Sequence, residues 1–493
     1  MTATSSQTAY QEAKTLATAG HTTRKEVIPH VPQRDTVLFN HTKLEADKAY
    51  FIYIGEIKNH GLNSFIIPYL ERIYDRPVEC IALVPDVLAS YPYTNLAVIN
   101  KESYQYYANK DILVNCRPTA SQFAQEISAN LFARELLENI LRAQDFVYLH
   151  MFESRPEMTL PDGERIKLLG PDPTLAHEFN NKINQFKMAC DLNLPMPEGF
   201  SCSCLEEALA AAESFFRSGE EAFMSEAYSA AGSNSAFVCN CEEILQRFLL
   251  AEQPYLVTRR IQHTHDPTAL AVVANSEEVY VASVADQRME QNQFRGSTFP
   301  TVLEEELVEA IKDYTRIVGR YMGAQGYRGM FGCDFLVDAK GEPYFLEVNA
   351  RKQGTTLEST LTMLYRLPGH PSLLEIELYA ITQGRLPEGL TEMDSSRSPL
   401  CWGTYNVKSE QDILVTQKLH GLQKEPEIFR RVFLEKDLKG IATVEDHLGV
   451  GIYQRTGGFV GRCVSVGKTL PEMYRQLEKK EAEVESSFRP WHH

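Results

Sequence analysis

Two short stretches of this chain gather residues that could hold a charged ligand: Gly329-Met330-Phe331-Gly332-Cys333-Asp334 and Phe345-Leu346-Glu347-Val348-Asn349-Ala350-Arg351. Their pattern predicts strands over 330–337 and 343–349 joined at Lys340-Gly341, and a two-residue hairpin loop there sets Asp334 opposite Glu347. Facing carboxylates destabilise a sheet, and neighbours such as Phe331, Phe335, Phe345 and Leu346 raise the cost by burial. A cation between them would remove the conflict. Asn349, two residues beyond Glu347 and so on the same face, adds a neutral oxygen. Hard oxygens with room left for water and phosphate suit Mg²⁺, so a magnesium nucleotide site is expected. On these residues alone a solvated pair on an exposed hairpin face is the alternative, and a wider, bulged turn would shift the register.

The elements that must position this hairpin can be read along the chain. With 493 residues, the length favours about three domains. Residues 1–45 are polar and lack periodicity, which predicts a tail or loosely docked arm. From 46 to 170, strands over 50–54, 78–84, 112–115 and 146–151 alternate with helical patterns, including 121–141. That alternation predicts a parallel α/β domain with its ligand face beyond the strand C-termini. Leu169-Gly170-Pro171-Asp172-Pro173 breaks the pattern before a helix over 174–192. The α+β domain that follows, 171–398, contains the hairpin, and 399–493 is expected to form a small C-terminal cap.

Composition excludes several function classes. Acidic side chains number 66 against 49 basic, a net charge of -17, which repels nucleic acid and anionic membranes. Apolar runs fall short of the roughly 20 residues that span a bilayer, and the first 20 residues lack the apolar core of a secretory signal. Ten irregularly spaced cysteines fit a reducing compartment, so a cytoplasmic protein is expected. Cys202-Ser203-Cys204 with Cys239-Asn240-Cys241 has poor spacing for zinc, and His263-Thr264-His265 has no evident third ligand. Phosphate-loop, dinucleotide and serine-hydrolase fingerprints do not stand out.

The two hairpin strings closely resemble the metal-binding signature of the ATP-grasp superfamily, and the resemblance extends over about residues 46–395. It implies a pre-ATP-grasp α/β domain, a central ATP-grasp fold and a cap, with ATP and Mg²⁺ as cofactors. By that resemblance Asp334, Glu347 and Asn349 hold the metal. Glu-Val-Asn-Ala-Arg is similar to the biotin carboxylase variant, in which Arg351 would face the reacting acyl phosphate; a surface arginine pairing with Glu347 or Glu358 is the alternative. Phe179-Asn180-Asn181-Lys182 resembles the family's first ATP-lysine segment, which favours Lys182 over Lys187 as the phosphate ligand.

The small-residue loop 229–235 could close over phosphates, with Gly232 and Ser233 as nucleotide contacts; a plain hairpin loop is the alternative. Two departures from the family pattern stand out. Ser225 sits in the strand where a second lysine is usual, and Leu256-Val257-Thr258-Arg259-Arg260 lacks the hinge glutamate. Arg259 or Arg260 could supply the missing cation, and Asp266 could reach a ribose hydroxyl. Asp286-Gln287 and the later Phe294-Arg295-Gly296-Ser297-Thr298-Phe299-Pro300 resemble a stretch of some peptide-forming members, which makes Arg295 a candidate substrate-carboxylate ligand; a solvated loop arginine is the alternative.

The implied reaction is ligation: a carboxylate is activated by ATP as an acyl phosphate and captured by an amine, giving an amide or peptide bond, ADP and phosphate. Small-molecule acids and amines are the implied substrates, amino acids or a peptide among them, and a homodimer is compatible with this reading. A bicarbonate-activating carboxylase and a non-catalytic nucleotide-binding scaffold are the alternatives.

Overall fold

The computed structural model describes residues 36–39, 44–88, 91, 93–101, 113–160, 164–228, 234–290 and 293–491. The chain divides into two compact units. One comprises Met1–Gly170, Thr360–Arg366 and Trp402–His493, the other Pro171–Ser359 and Leu367–Cys401.

In the first unit, strands β1 (Thr36–Phe39), β2 (Ala49–Ile54), β3 (Val78–Val84), β4 (Leu96–Ile99), β6 (Val147–Met151) and β7 (Ile166–Leu169) form a sheet in the order β1-β4-β3-β2-β6-β7. Every pairing in it is parallel except β1 with β4, as the alternating pattern requires. The central strand β2 is buried at every position, so it reads as a continuous apolar run. Phe123, Ile127, Leu136 and Ile140 close one face of the sheet.

The helix expected over 121–141 is two helices, α2 (Ala120–Ala129) and α3 (Leu131–Ala143), which follow α1 (Ile67–Tyr74). Asn130 breaks them because it leaves helical geometry and its side chain accepts from Ala133 N, capping α3. A 3₁₀ helix, Ile57–Phe65, follows β2. The strand expected over 112–115 is seen as β5 (Leu113–Val114), with Ile112 outside the described residues. It pairs with a C-terminal strand instead of the parallel sheet, whose remaining places are filled by β4 and β7.

The second unit opens with α4 (Pro173–Phe179) and α5 (Lys182–Asp191), where one helix was expected. Asn180 caps the end of the first, and Asn181 caps the second through Ile183 N and Asn184 N. Four strands, β8 (Gly199–Cys202), β9 (Ala222–Glu226), β10 (Ser235–Val238) and β11 (Tyr255–Arg259), pair in the order β10-β9-β11-β8. Helices α6 (Leu205–Arg217) and α7 (Cys241–Arg247) bury Ala208, Ala212, Phe215 and Ile244 in that lobe's core.

The larger lobe pairs β12 (His263–His265), β13 (Pro267–Val273), β14 (Val279–Glu290), β15 (Gln293–Phe299) and β16 (Gly329–Asp338) in the order β12-β16-β13-β14-β15, with β17 (Pro343–Asn349) on β16. Helix α8 (Glu305–Ala324) packs on β13 and β14. Its Gly323 permits a close approach, since a Cβ there would lie 2.3 Å from Asn275 O. Val281, Val308, Ile311, Phe331, Phe335 and Phe345 fill the core beneath the hairpin. Helix α9 (Thr356–Arg366) and α10 (Leu373–Gln383) follow.

The C-terminal residues return to the first unit. There β20 (Gly440–Glu445) pairs antiparallel with β22 (Phe459–Gly467), next to β18 (Cys401–Lys408). Helix α12 (Leu470–Glu485) covers these strands, following α11 (Glu425–Leu434). A smaller sheet runs β23 (Phe488–Pro490), β19 (Ile413–Val415), β21 (Ile452–Gln454), β5. Among the described residues no helix is long and apolar enough to cross a membrane.

Candidate functional site

Asp334 and Glu347 do lie opposite each other across β16 and β17, but by a different route from the one expected. The connection is longer than Lys340-Gly341. Asp338 N donates to Glu342 O at 3.1 Å and Gly341 N to Asp338 O at 3.0 Å, leaving 339–341 as the loop with Gly341 at φ 85°. That shifts the register by one residue, and an irregularity between Asp334 and Phe335 shifts it back. Leu346 is the extra residue, 40% exposed while Phe335 and Phe345 are buried.

The free edge of β17 is held by side chains from the preceding helices. Gln185 Nε2 donates to Val348 O at 2.7 Å and its Oε1 accepts from Val348 N at 3.1 Å, while Asn180 Oδ1 accepts from Ala350 N at 2.9 Å. Phe345 N donates to Pro195 O at 2.7 Å. An exposed edge is thus satisfied. It also places Lys182, the first residue of α5, at the hairpin, where its ammonium contacts Glu347.

Around the two carboxylates the contacts are dense. Thr268 Oγ1 donates to Asp334 Oδ1 at 2.6 Å, Gln287 Nε2 at 2.9 Å and Gln353 Nε2 at 3.4 Å. Asn349 Nδ2 donates to Asp334 Oδ2 at 2.9 Å, and Asn349 Oδ1 accepts from Arg351 at 2.9 Å. Arg351 also donates to Lys352 O at 2.9 Å, and the next side chain, Lys352, is buried against Glu377 at 2.9 Å. Burial and then the negative charge of Glu347 push Asp334 up to about 6. Burial acts on Glu347 in the same sense, but the ammonium of Lys182 outweighs it and holds that carboxyl below its usual range.

These groups line a cleft of about 860 Å³ between the two lobes of this unit. Lys182, Ser225, Arg259, Arg260, Asp266, Asp334, Glu347, Asn349 and Arg351 all border it. Ser225 is buried, with no hydrogen-bond partner for its hydroxyl among the described residues. The guanidinium of Arg260 pairs with Glu221 and lies 4.4 Å from the Phe237 ring centroid, and Arg259 pairs with Glu220 at 3.3 Å. Asp266 contacts His263 Nε2 at 3.1 Å, a hydrogen bond that raises the imidazole above its ordinary range.

Arg295 lies on β15, where Phe294 and Ser297 border the cleft. It is not among the residues bordering the cleft, and its Nε faces Glu290 at 3.4 Å. Gly232 and Ser233 lie outside the described residues. Sequence reasoning did not assign Thr268, Gln287, Gln353 or Gln185. Their signal is the cross-strand register of β13 and β16, which pairs Thr268 with Asp334, and no local pattern reveals which strands adjoin.

Two carboxylates and an amide oxygen form an incomplete set of hard donors, and among the described residues no group of three His, Cys, Asp or Glu could hold a metal. The set fits Mg²⁺ that takes its remaining ligands from phosphate and water, and the repulsion at Asp334 is the conflict such an ion would relieve.

Residues 179–355 match the sequence profile of the ATP-grasp domain. The chain carries an ATP-grasp domain. It is 32% identical over 106 residues to L-propargylglycine–L-glutamate ligase of Streptantibioticus cattleyicolor, covering 21% of this chain and 22% of that protein. Against [butirosin acyl-carrier protein]–L-glutamate ligase of Niallia circulans it is 24% identical over 196 residues, covering 37% and 46%. The chain thus spans less than half the length of either curated relative. The biotin carboxylase domain of Hydrogenobacter thermophilus 2-oxoglutarate carboxylase, solved with MgADP, ADP and bicarbonate, matches with a TM-score of 0.59 at 12% identity, covering 90% of each chain. That likeness is one of fold. ATP-grasp ligases are enzymes, and both relatives are ligases by name.

Proposed function

We infer that this protein is an ATP-dependent carboxylate–amine ligase that forms an amide or peptide bond and releases ADP and phosphate. The observation that carries the reading is the Asp334–Glu347 pair, opposed across β16 and β17 and bordered in one cleft by Lys182, Asn349 and Arg351.

Asp334, Glu347 and Asn349 would hold Mg²⁺, which when bound neutralises triphosphate charge. Lys182 would exchange its contact with Glu347 for a phosphate oxygen, and Arg259 or Arg260 would stand in for the family's second cation. A substrate carboxylate oxygen attacks the γ-phosphorus as the bond to ADP breaks. The amine nitrogen then attacks the acyl carbon, phosphate departs, and the amine loses its proton. Arg351, fixed through Asn349 and Lys352, is positioned to counter the negative charge that develops on the acyl phosphate. The work is positioning and charge compensation.

Both curated relatives are named for joining glutamate to another group, which supports an amino acid as one substrate. A cytoplasmic enzyme, acting on small molecules as a homodimer, completes the proposal. The test is ADP release by the full chain over a matrix of amino acids and amines, with products identified by mass spectrometry. Acid- and amine-dependent turnover with a condensed product is expected. Turnover that needs bicarbonate alone would replace this reading with the carboxylase, and nucleotide binding without turnover would replace it with the scaffold.

A further inference from the structure

The two oxygens of Asp334 have unequal surroundings. Oδ1 receives the Thr268 hydroxyl at 2.6 Å, Gln287 Nε2 at 2.9 Å and Gln353 Nε2 at 3.4 Å, all from neutral donors. Oδ2 receives the Asn349 amide at 2.9 Å. A carboxylate oxygen offers about two lone-pair sites, so three donor hydrogens saturate Oδ1 and turn positive charge toward it. A cation is repelled there and admitted at Oδ2.

The donors are themselves fixed. An ionised carboxylate only accepts, so the Thr268 hydroxyl spends its hydrogen on Asp334 and takes one from Gln353 Nε2 at 2.9 Å. Thr268 is 3% exposed and Gln353 7%. Gln353 is also held at its backbone, whose N–H donates to Thr356 Oγ1 at 2.9 Å. Room for its side chain comes from Gly332, two residues before Asp334 on the same face: a Cβ there would fall 1.9 Å from Gln353 Nε2.

We propose that Thr268, Gln287 and Gln353 form a neutral clamp on one oxygen of Asp334 that reserves the other for the divalent ion, and that Gly332 is glycine to admit the clamp. These are positioning residues, and the proposal rests on the reading of Asp334 as a metal ligand. Partners that orient a metal-binding side chain typically change metal affinity by about 10- to 100-fold when removed.

The test uses the full chain with Mn²⁺ and ADP. Free Mn²⁺ is followed by electron paramagnetic resonance, and metal-free ADP affinity by calorimetry in EDTA. Thr268→Val keeps the side-chain shape without the hydroxyl, and Gly332→Ala displaces Gln353 without deleting a polar group. Each is expected to weaken nucleotide-dependent Mn²⁺ binding by about tenfold. Metal-free ADP affinity should stay within about twofold, and Thr268→Ser should recover most of the loss. Wild-type Mn²⁺ affinity in Thr268→Val, or an equal loss of metal-free ADP binding, overturns the clamp. If Thr268→Val does not fold, Gln353→Met is read in its place by the same criteria. Unchanged Mn²⁺ binding in Asp334→Asn would overturn the metal reading itself, a result separate from failure of the clamp alone.

Discussion

Each unit contains a place where carboxylates are crowded together, and the two are balanced differently. In the first unit Asp86 is fully buried, yet its oxygens meet the Arg117 guanidinium at 2.7 Å and Ile57 N at 2.8 Å. Arg117 also pairs with Glu56 at 3.2 Å, lies 4.5 Å from the Phe459 ring centroid, and shares Glu56 with Lys58. Those cations hold the Glu56 carboxyl down at about 2 even though burial alone would raise it, while burial still leaves Asp86 above its usual range despite the Arg117 contact. In the second unit Asp334 is surrounded by neutral donors, and the ammonium of Lys182 touches only its partner Glu347. A structural charge network carries its own counter-ions in packed guanidinium groups. Under the proposed function, the second cluster lacks a cation on Asp334 because an exchangeable ion would supply it.

The largest effect is expected from Glu347→Gln. It should lower ligase turnover by about a thousandfold, on the order of 4 kcal/mol of transition-state stabilisation, with far-ultraviolet circular dichroism unchanged. Retained activity would put the second site in the structural class with the first.

The converse substitution, Arg117→Met, leaves the buried Asp86 without its cation. Urea unfolding should then show a loss of about 3–5 kcal/mol, the cost of breaking a buried pair. A change below about 1 kcal/mol would mean that the first cluster is not held by its arginine.

Asp334→Asn should act in the opposite sense on the ligand-free protein. Its carboxyl is raised from 3.8 to about 6, so between those values the folded chain keeps a proton that the unfolded chain has lost, and stability falls as pH rises through that window. Removing the charge should stabilise the ligand-free protein at pH 7 by on the order of 1–2 kcal/mol, with little gain near pH 4, while metal-dependent nucleotide binding disappears. Thermal melts at the two pH values check the sign.

A further test is Asp446, which like Asp86 is left above its usual range within the first cluster. Burial, and then Asp86 and Glu445, raise its carboxyl well above 3.8, and it sits at φ 56° with a buried oxygen that has no partner among the described residues. Asparagine tolerates that left-handed backbone. Asp446→Asn should therefore raise the urea midpoint slightly at pH 8 and less at pH 5, because the raised acid loses stability as pH rises.

How much of this could be read beforehand depended on the range of the interaction. The facing of Asp334 and Glu347 was legible from a period of two and a nearby turn, although a three-residue loop and the bulge at Leu346 cancelled each other in reaching it. Nothing local announces such a bulge. Thr268 is paired with Asp334 by a strand contact 66 positions away, and β5 joins a sheet whose other strands come from the C-terminal residues. Polarity and periodicity cannot encode partners at that separation. The helices over 121–141 and 174–192 were visible as apolar stripes, but Asn130 and Asn181 passed as ordinary polar positions when they were caps of new helices. Lys182 and Arg351 came from a motif. Gln185, which anchors β17 together with Asn180 of the lysine motif, acts through the backbone and leaves no motif of its own.

Under the proposed function, Asp334 and Glu347 join a divalent ion to a nucleotide. Calorimetric titration of a non-hydrolysable ATP analogue into the full chain, with Mg²⁺ and then in EDTA, tests this. Affinity at least about tenfold tighter with Mg²⁺ is expected, a difference abolished by Glu347→Gln. Equal affinity in both buffers, or a magnesium effect that survives Glu347→Gln, would contradict it.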